Sequence, residues 1–292
     1  MAGTAACGST SSSGGDKVAL LVSTLNNPFF VDLRDGAQAA AKDLGVDLMV
    51  SDAQNDSSTQ QNQAQNAQSQ GAKAVIINPV DSDAASPAVA PLLSSSLPVI
   101  SVDRSVTGED VTSHIASDNV AGGAQAADEL AKAVGEKGKV IILQGTPGAA
   151  STRDRGDGFK KEIKKYSGIE VVAEQTANFD RAEALDVTTN LMQSNPDVVG
   201  IYAENDEMAL GAIQSLGSKA GADVKIFGFD GTEDGLKAVS NGTMVGTIAQ
   251  QPKELGKKAV EAAVKAIKGE SVEKTESIEV KTVTKGNVAD FQ

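Results

Sequence analysis

A chain of 292 residues exceeds one average domain and lies near the length at which a single core stops growing, so two domains are expected. The 26 Lys and Arg against 39 Asp and Glu leave a net charge of −13, a sign that opposes the phosphate neutralisation on which nucleic-acid binders depend. The single cysteine, Cys7, excludes an intrachain disulfide and a cysteine-based metal site, and the single histidine, His114, has no cluster of ligand types around it in the sequence; no metal and no cofactor are expected.

In chain order, the small residues Met1-Ala-Gly-Thr-Ala-Ala precede Cys7, and Gly8-Ser-Thr-Ser-Ser-Ser-Gly-Gly15 follows it. This resembles the end of a bacterial lipoprotein signal, with Thr4 where such signals usually carry Leu and without their apolar core. The resemblance implies lipidation at Cys7, an extracytoplasmic position at the cell envelope, and a flexible tether over 1–15 reaching about 15 Å. No stretch approaches the roughly 18 apolar residues of a membrane span.

From Lys17 onward, short Val/Ile-rich runs alternate with Ala-rich segments of helical period, the pattern of an α/β protein whose parallel strands carry helices on both faces. Strands are expected at 18–23, 47–53, 74–78, 99–103 and 112–117, with helices at 30–44, 58–70 and 83–94. The polar tract 51–70 reads as a solvated helix because Ala64 and Ala67 recur at helical spacing. A second series opens with a helix at 121–134, followed by strands at 140–144, 170–175, 199–203 and 225–229 and helices at 151–166, 181–193, 207–216 and 232–241. Val75-Ile-Ile-Asn-Pro-Val-Asp-Ser-Asp-Ala84 and Gly200-Ile-Tyr-Ala-Glu-Asn-Asp-Glu-Met-Ala209 are both apolar runs that end in Asn/Asp just before a helix, as duplication into two lobes would produce. Beyond them, 243–250 and 277–284 alternate like edge strands around a helix at 253–268, a portion expected to shuttle between the lobes.

In open parallel sheets, ligands bind beyond the carboxyl ends of strands. The residues there are unusually polar and aromatic: Ser23, Asn27, Phe29 and Phe30; Asp103 and Arg104; Arg153 and Arg155; Phe179 and Asp180; Asn205 and Asp206; Phe229 and Asp230; and Gln250. Aromatics are scarce, seven Phe, two Tyr and no Trp, so a Phe outside a core pattern is informative. Asp accepts two hydrogen bonds, Arg donates in a fixed fork, and Asn or Gln does both, which suits the hydroxyl rim of a monosaccharide; Phe faces suit its C–H surfaces.

Taken in order, Ser23-Thr-Leu-Asn-Asn-Pro-Phe-Phe30, Asp103-Arg104, Ser113-His-Ile-Ala-Ser-Asp-Asn119, Arg153-Asp-Arg-Gly156, Asn178-Phe-Asp-Arg181, Asn205-Asp-Glu-Met-Ala-Leu-Gly211, Gly228-Phe-Asp-Gly-Thr232 and Thr247-Ile-Ala-Gln250 closely resemble the ribose-binding proteins of bacterial ABC transporters, of the type I periplasmic binding protein family. The resemblance runs from about Lys17 to the last strand. It implies two similar doubly wound lobes joined by a three-segment hinge, 16–117 with 251–279 and 118–250 with 280–292, closing on D-ribose or a similar monosaccharide. It further implies that Phe30 and Phe179 stack on the sugar, with Phe229 and Phe29 as wall. Asn27, Asp103, Arg104, Arg155, Asn205, Asp230 and Gln250 bond its hydroxyls and ring oxygen, with Ser23 beside them. The implied protein is a non-catalytic monomer that delivers sugar to a membrane permease. The segment Gly145-Thr-Pro-Gly-Ala-Ala-Ser-Thr152 departs from the family pattern by an extra Pro.

Other readings stay open at this level. Another pentose, allose or a ribose-like signalling molecule would need only a changed hydroxyl match. Asp103 and Asp230 have the residue types of a glycosidase pair. A sugar-responsive repressor module would require an N-terminal helix-turn-helix, for which residues 1–16 are too short. Taken singly, Phe29 and Phe30 fit packing under a helix start, Asp103-Arg104 a surface ion pair, and Asp230-Gly231-Thr232 a helix cap. His114 reads as structural, and Gly145-Thr-Pro-Gly148 lacks the spacing of a phosphate loop.

Overall fold

In the computed structural model, which describes residues 15–292, the apolar runs form two six-stranded sheets. Cys7 lies outside the described residues. In the first sheet β1 (Lys17–Val22), β2 (Asp47–Asp52), β3 (Ala74–Ile77), β4 (Val99–Val102) and β5 (Ser113–Ser117) lie side by side in the order β2-β1-β3-β4-β5. The second repeats that order with β6 (Lys137–Gln144), β7 (Gly168–Thr176), β8 (Val198–Ala203), β9 (Lys225–Asp230) and β10 (Gly246–Ala249), as β7-β6-β8-β9-β10. All of these pairings are parallel. The self-similar stretches at 75–84 and 200–209 therefore occupy the same place, the third strand of each sheet and the turn after it.

Strand β1 shows why the runs are continuous rather than alternating: both of its faces are covered. Val18, Leu20 and Val22 pack with α1 (Pro28–Leu44) and α9 (Pro252–Ile267), whereas Ala19 and Leu21 pack with α2 (Ser57–Ser69) and α3 (Ser86–Ser94). The second sheet is covered by α4 (Asn119–Ala133) and α5 (Ala150–Ile163) on one face. Its other face carries α6 (Arg181–Ser194), α7 (Asp206–Leu216) and α8 (Glu233–Asn241).

The C-terminal portion differs from the sequence reading in two ways. The run 277–284 is not one edge strand: β11 (Thr275–Ile278) pairs parallel to β5 in the first sheet, and β12 (Lys281–Thr284) pairs antiparallel to β10 in the second. The run 243–250 is not an edge either, since β10 lies between β9 and β12. The chain thus passes between sheets after β5, after β10 and between β11 and β12. Boundaries also move at the strand ends, and for a local reason. Strand β4 stops at Val102 because Asp103 turns to φ 65°, and α3 waits until Ser86 because Asp81 Oδ1 accepts from the amides of Asp83 (2.8 Å) and Ala84 (2.9 Å), turning the chain first. Among the described residues, no helix is long and apolar enough to cross a membrane.

Candidate functional site

Where the carboxyl ends of the two sheets face one another, Asn27, Phe29, Phe30, Asp103, Arg104, Ser151, Arg155, Phe179, Asn205 and Asp230 line a narrow cavity. Nine of the twelve expected site residues are in this lining. Gln250 borders a neighbouring recess with Phe29 and Asp230, while Ser23 and Phe229 are wholly buried behind the wall. A wider mouth bounded by Thr24, Asn26, Asn55, Thr146, Asn178 and Arg181 leads outward.

Each lobe contributes in a similar way. Asn27 and Asn205 are the N-caps of α1 and α7, and their Oδ1 atoms accept from the amides of Phe29 and Met208, both at 2.9 Å. Pro28 follows as the first residue of α1, where its missing N–H costs nothing. With Oδ1 committed, Asn27 keeps Nδ2 as a donor, and Asn205 Nδ2, which gives one proton to the Phe179 carbonyl at 3.4 Å, keeps its second. Asp103 and Asp230 stand at equivalent places, the ends of β4 and β9. Asp103 Oδ2 lies 3.7 Å from Arg104 Nε, and Asp230 Oδ1 lies 3.6 Å from Arg155 Nη1. Both carboxyls are pushed up from their usual range by burial, and the arginines oppose that shift. With two carboxylates and two guanidiniums the lining is close to neutral, suited to an uncharged ligand rich in donors and acceptors.

The rings frame these charges. Phe29 and Phe30 meet edge to face at 5.2 Å between centroids. The Arg104 guanidinium lies 5.4 Å from the Phe30 centroid and 5.5 Å from that of Phe179 in the other lobe. Phe229 is placed beneath the cavity, its ring 3.8 Å from the Arg155 guanidinium, so it supports that cation instead of lining the space.

Several residues that hold the lining in place went unmarked in the sequence reading. Asn78 bridges two segments, its Oδ1 accepting from the Ser23 amide (3.1 Å) and its Nδ2 donating to Asp103 Oδ2 (3.1 Å). Gln60, buried on the otherwise polar α2, donates to the Asn78 carbonyl (2.9 Å) and accepts from the Val80 amide (3.0 Å). The turn so fixed offers the carbonyls of Pro79 and Val80 to Arg104 Nη1, each at 3.1 Å. In the second lobe Arg155 donates through Nε to Asn119 Oδ1 (2.8 Å) and through Nη1 to the Glu204 carbonyl (2.7 Å). The Glu204 carboxyl is fully buried, accepts from the Gly145 amide at 2.8 Å, and is pushed up to about 8 by burial. Gly145 in turn lies so close under Phe179 that a Cβ there would sit 2.0 Å from the ring. A signal for Asn78 and Glu204 did exist, since both follow an apolar strand; Gln60 gave none, because its partners are distant in sequence.

Two further features belong to this lining and its border. Asp103, Phe179 and Asp230 hold φ of 65°, 59° and 125°, conformations that cost about 1–3 kcal/mol each for non-glycine residues and cluster where function requires them. Asp103 Oδ1 and Gln250 Oε1 are buried without a protein partner, although Gln250 Nε2 donates to Asp230 at 2.7 Å. Such oxygens are costly unless something donates to them. His114 bonds to Ser101 Oγ through Nδ1 at 2.8 Å and lies outside the lining, its pKa lowered by burial.

A family model described as a periplasmic binding protein domain matches residues 18–271. The ribose import binding protein of Salmonella typhimurium is 48% identical over 270 residues, covering 92% of this chain and 91% of that one. The ribose import binding protein of Bacillus subtilis is 43% identical over 267 residues, covering 91% and 87%. The crystal structure of a periplasmic solute-binding protein of an ABC transporter from Actinobacillus succinogenes, with bound D-allose, superposes with a TM-score of 0.88 at 33% identity, covering 94% of this chain and 99% of that one.

Proposed function

The chain belongs to the periplasmic binding protein family, and from that premise we propose that it captures D-ribose in the cleft between its lobes and delivers it to the membrane permease of an ABC transporter. The family is one of transport solute-binding proteins, not of enzymes, and it acts outside the cytoplasm. The observation that carries the choice of ligand is the pairing of one carboxylate and one guanidinium from each lobe, Asp103 with Arg104 and Asp230 with Arg155, around a cavity lined by Phe30 and Phe179.

A ribose hydroxyl both donates and accepts, so Asp103 Oδ1 and Gln250 Oε1 can take its protons while Asn27 Nδ2, Asn205 Nδ2 and the arginines donate to its oxygens. An epimer that misplaces one hydroxyl leaves a desolvated group unpaired, and this is the basis of selectivity. Because the ligand is held from both lobes, it favours the closed arrangement of 16–117 with 251–279 against 118–250 with 280–292. The three crossings serve as the hinge. Cys7 is the proposed lipid anchor, which mass spectrometry of membrane-extracted protein would detect as a diacylglyceryl adduct on that residue.

The test is calorimetric titration of protein unfolded and refolded to strip carried-over sugar, with D-ribose, xylose, arabinose, allose and glucose. One-to-one binding of ribose, tighter than of the others, is expected. Preference for allose or another pentose would keep the receptor and replace the ligand.

A further inference from the structure

Helix α5 carries Arg155 but begins without a cap of its own: its N-cap is Ala149, which has no side-chain oxygen to offer. The missing acceptor comes from the opposite lobe. Ser82, in the turn between β3 and α3, is fully buried, and its Oγ accepts from the Ala150 amide, the first of α5, at 3.0 Å. The Ser82 amide donates in return to the Gly148 carbonyl at 3.1 Å. Gly148 holds φ 86°, a conformation that favours glycine, and a Cβ there would lie 2.2 Å from the Asp81 side chain at Oδ2. The exposed pair Arg153 and Asp83 (3.2 Å) closes the outer side of the contact. On its own lobe the Ser82 turn is held by Asp81 and by the Thr107 amide, which donates to the Ser82 carbonyl at 2.9 Å.

From this geometry we infer that Ser82 is a positioning residue for sugar binding: it touches no part of the sugar cavity, yet it caps α5 across the cleft and so stabilises the closed state itself. The inference rests on the receptor reading above. When the lobes separate, the Ala150 amide and Ser82 Oγ both return to water, so the bond exists only on closure. Apparent affinity scales with the free energy of closing, and a contact that is indifferent to the ligand shifts the affinity of every sugar by one common factor. The residues that touch sugar behave differently, because they discriminate between sugars. Gly148 and Ala150 are the second lobe's half of this contact.

The experiment pairs Ser82→Ala with Ala150→Pro, measured by calorimetry against ribose and one weaker sugar, with melting of the sugar-free proteins alongside. Ala150→Pro is tolerated at the first position of a helix, but it deletes the donor and sets its ring Cδ where the amide proton met Ser82 Oγ, so it opposes closure while leaving Ser82 in place. Ser82→Ala is expected to weaken both sugars by one common factor, roughly 2- to 30-fold, the range for losing one helix cap, and Ala150→Pro by a larger factor that is again common to both sugars. Sugar-free melting is expected to be unchanged, because the bond is not made in the open form. The double variant should be less than the product of the two. Unchanged affinity in Ser82→Ala, or a sugar-free melting point lowered in step with affinity, overturns the inference and leaves the receptor reading standing. A wild type that takes up no sugar overturns both.

Discussion

Replacing Glu204 with Gln should make the protein more stable at neutral and alkaline pH while leaving it unchanged in mild acid. The Glu204 carboxyl is fully buried; one oxygen accepts from the Gly145 amide at 2.8 Å and the other, Oε1, has no partner. Burial raises its pKa from 4.5 to about 8 against the opposing pull of that amide, of Arg155 and of Lys160, with Glu174 adding to the rise. The folded protein therefore holds a proton between about pH 4.5 and 8 that the unfolded chain has released. In that window the unfolded state binds fewer protons, so stability falls as pH rises and levels off above the folded pKa. At about 1.36 kcal/mol per pH unit, the loss is roughly 3 kcal/mol by pH 7 and roughly 5 kcal/mol by pH 9. Gln keeps the acceptor for Gly145 and cannot ionise. Urea unfolding of sugar-free wild type and Glu204→Gln at pH 4.5, 6, 7, 8 and 9 would read the difference directly, since the other carboxyls cancel between the two proteins. The difference should open from near zero at pH 4.5. A difference that stays flat across the series would refute the claim that Glu204 is buried as the neutral acid.

Two more outcomes follow from the same neighbourhood. Arg155→Ala leaves Asp230 buried without its cation and strips the partner from Asn119 Oδ1, the Glu204 carbonyl and the Phe229 face. Unfolding free energy should fall by about 3–5 kcal/mol, and ribose affinity measured by calorimetry should fall by at least about 100-fold. Arg155→Lys should recover stability more than affinity, because a single ammonium cannot reproduce the fork; equal recovery of both would argue against a geometric role. Gly145→Ala would place a methyl 2.0 Å from Phe179 Cζ and force that ring from its position. Ribose affinity should drop by about 10-fold, in keeping with the loss of one aromatic face, and an unchanged affinity would remove Phe179 from the sugar contacts.

Local chemistry accounts for what could be read early. A parallel strand buried on both faces must be a short apolar run, and the helix after it needs a cap. Val18–Val22 followed by Asn27-Pro28, and Val198–Ala203 followed by Asn205, therefore announce both the elements and the edge at which a ligand would sit. The polar and aromatic residues at those ends were visible because nothing in a buried strand explains them. The role of each was less visible. Phe229 looked like pocket wall and is instead the floor beneath Arg155, a distinction of depth that a residue name does not carry.

By itself the sequence determined the alternation of strands and helices, the duplication, and the polar set at the strand ends, all of which follow from periodicity and capping within a few residues. Tertiary structure alone decided which sheet each late element joins. The alternating run 277–284 satisfies either edge, and pairing with β5 and β10, far away in the chain, divides it between them. It also decided that Gln60 braces the turn under Arg104, that Glu204 is buried beside Gly145, and that Ser82 caps a helix of the other lobe. Each of these is a polar side chain whose partner is brought near only by the packing of other elements, and no local pattern records that.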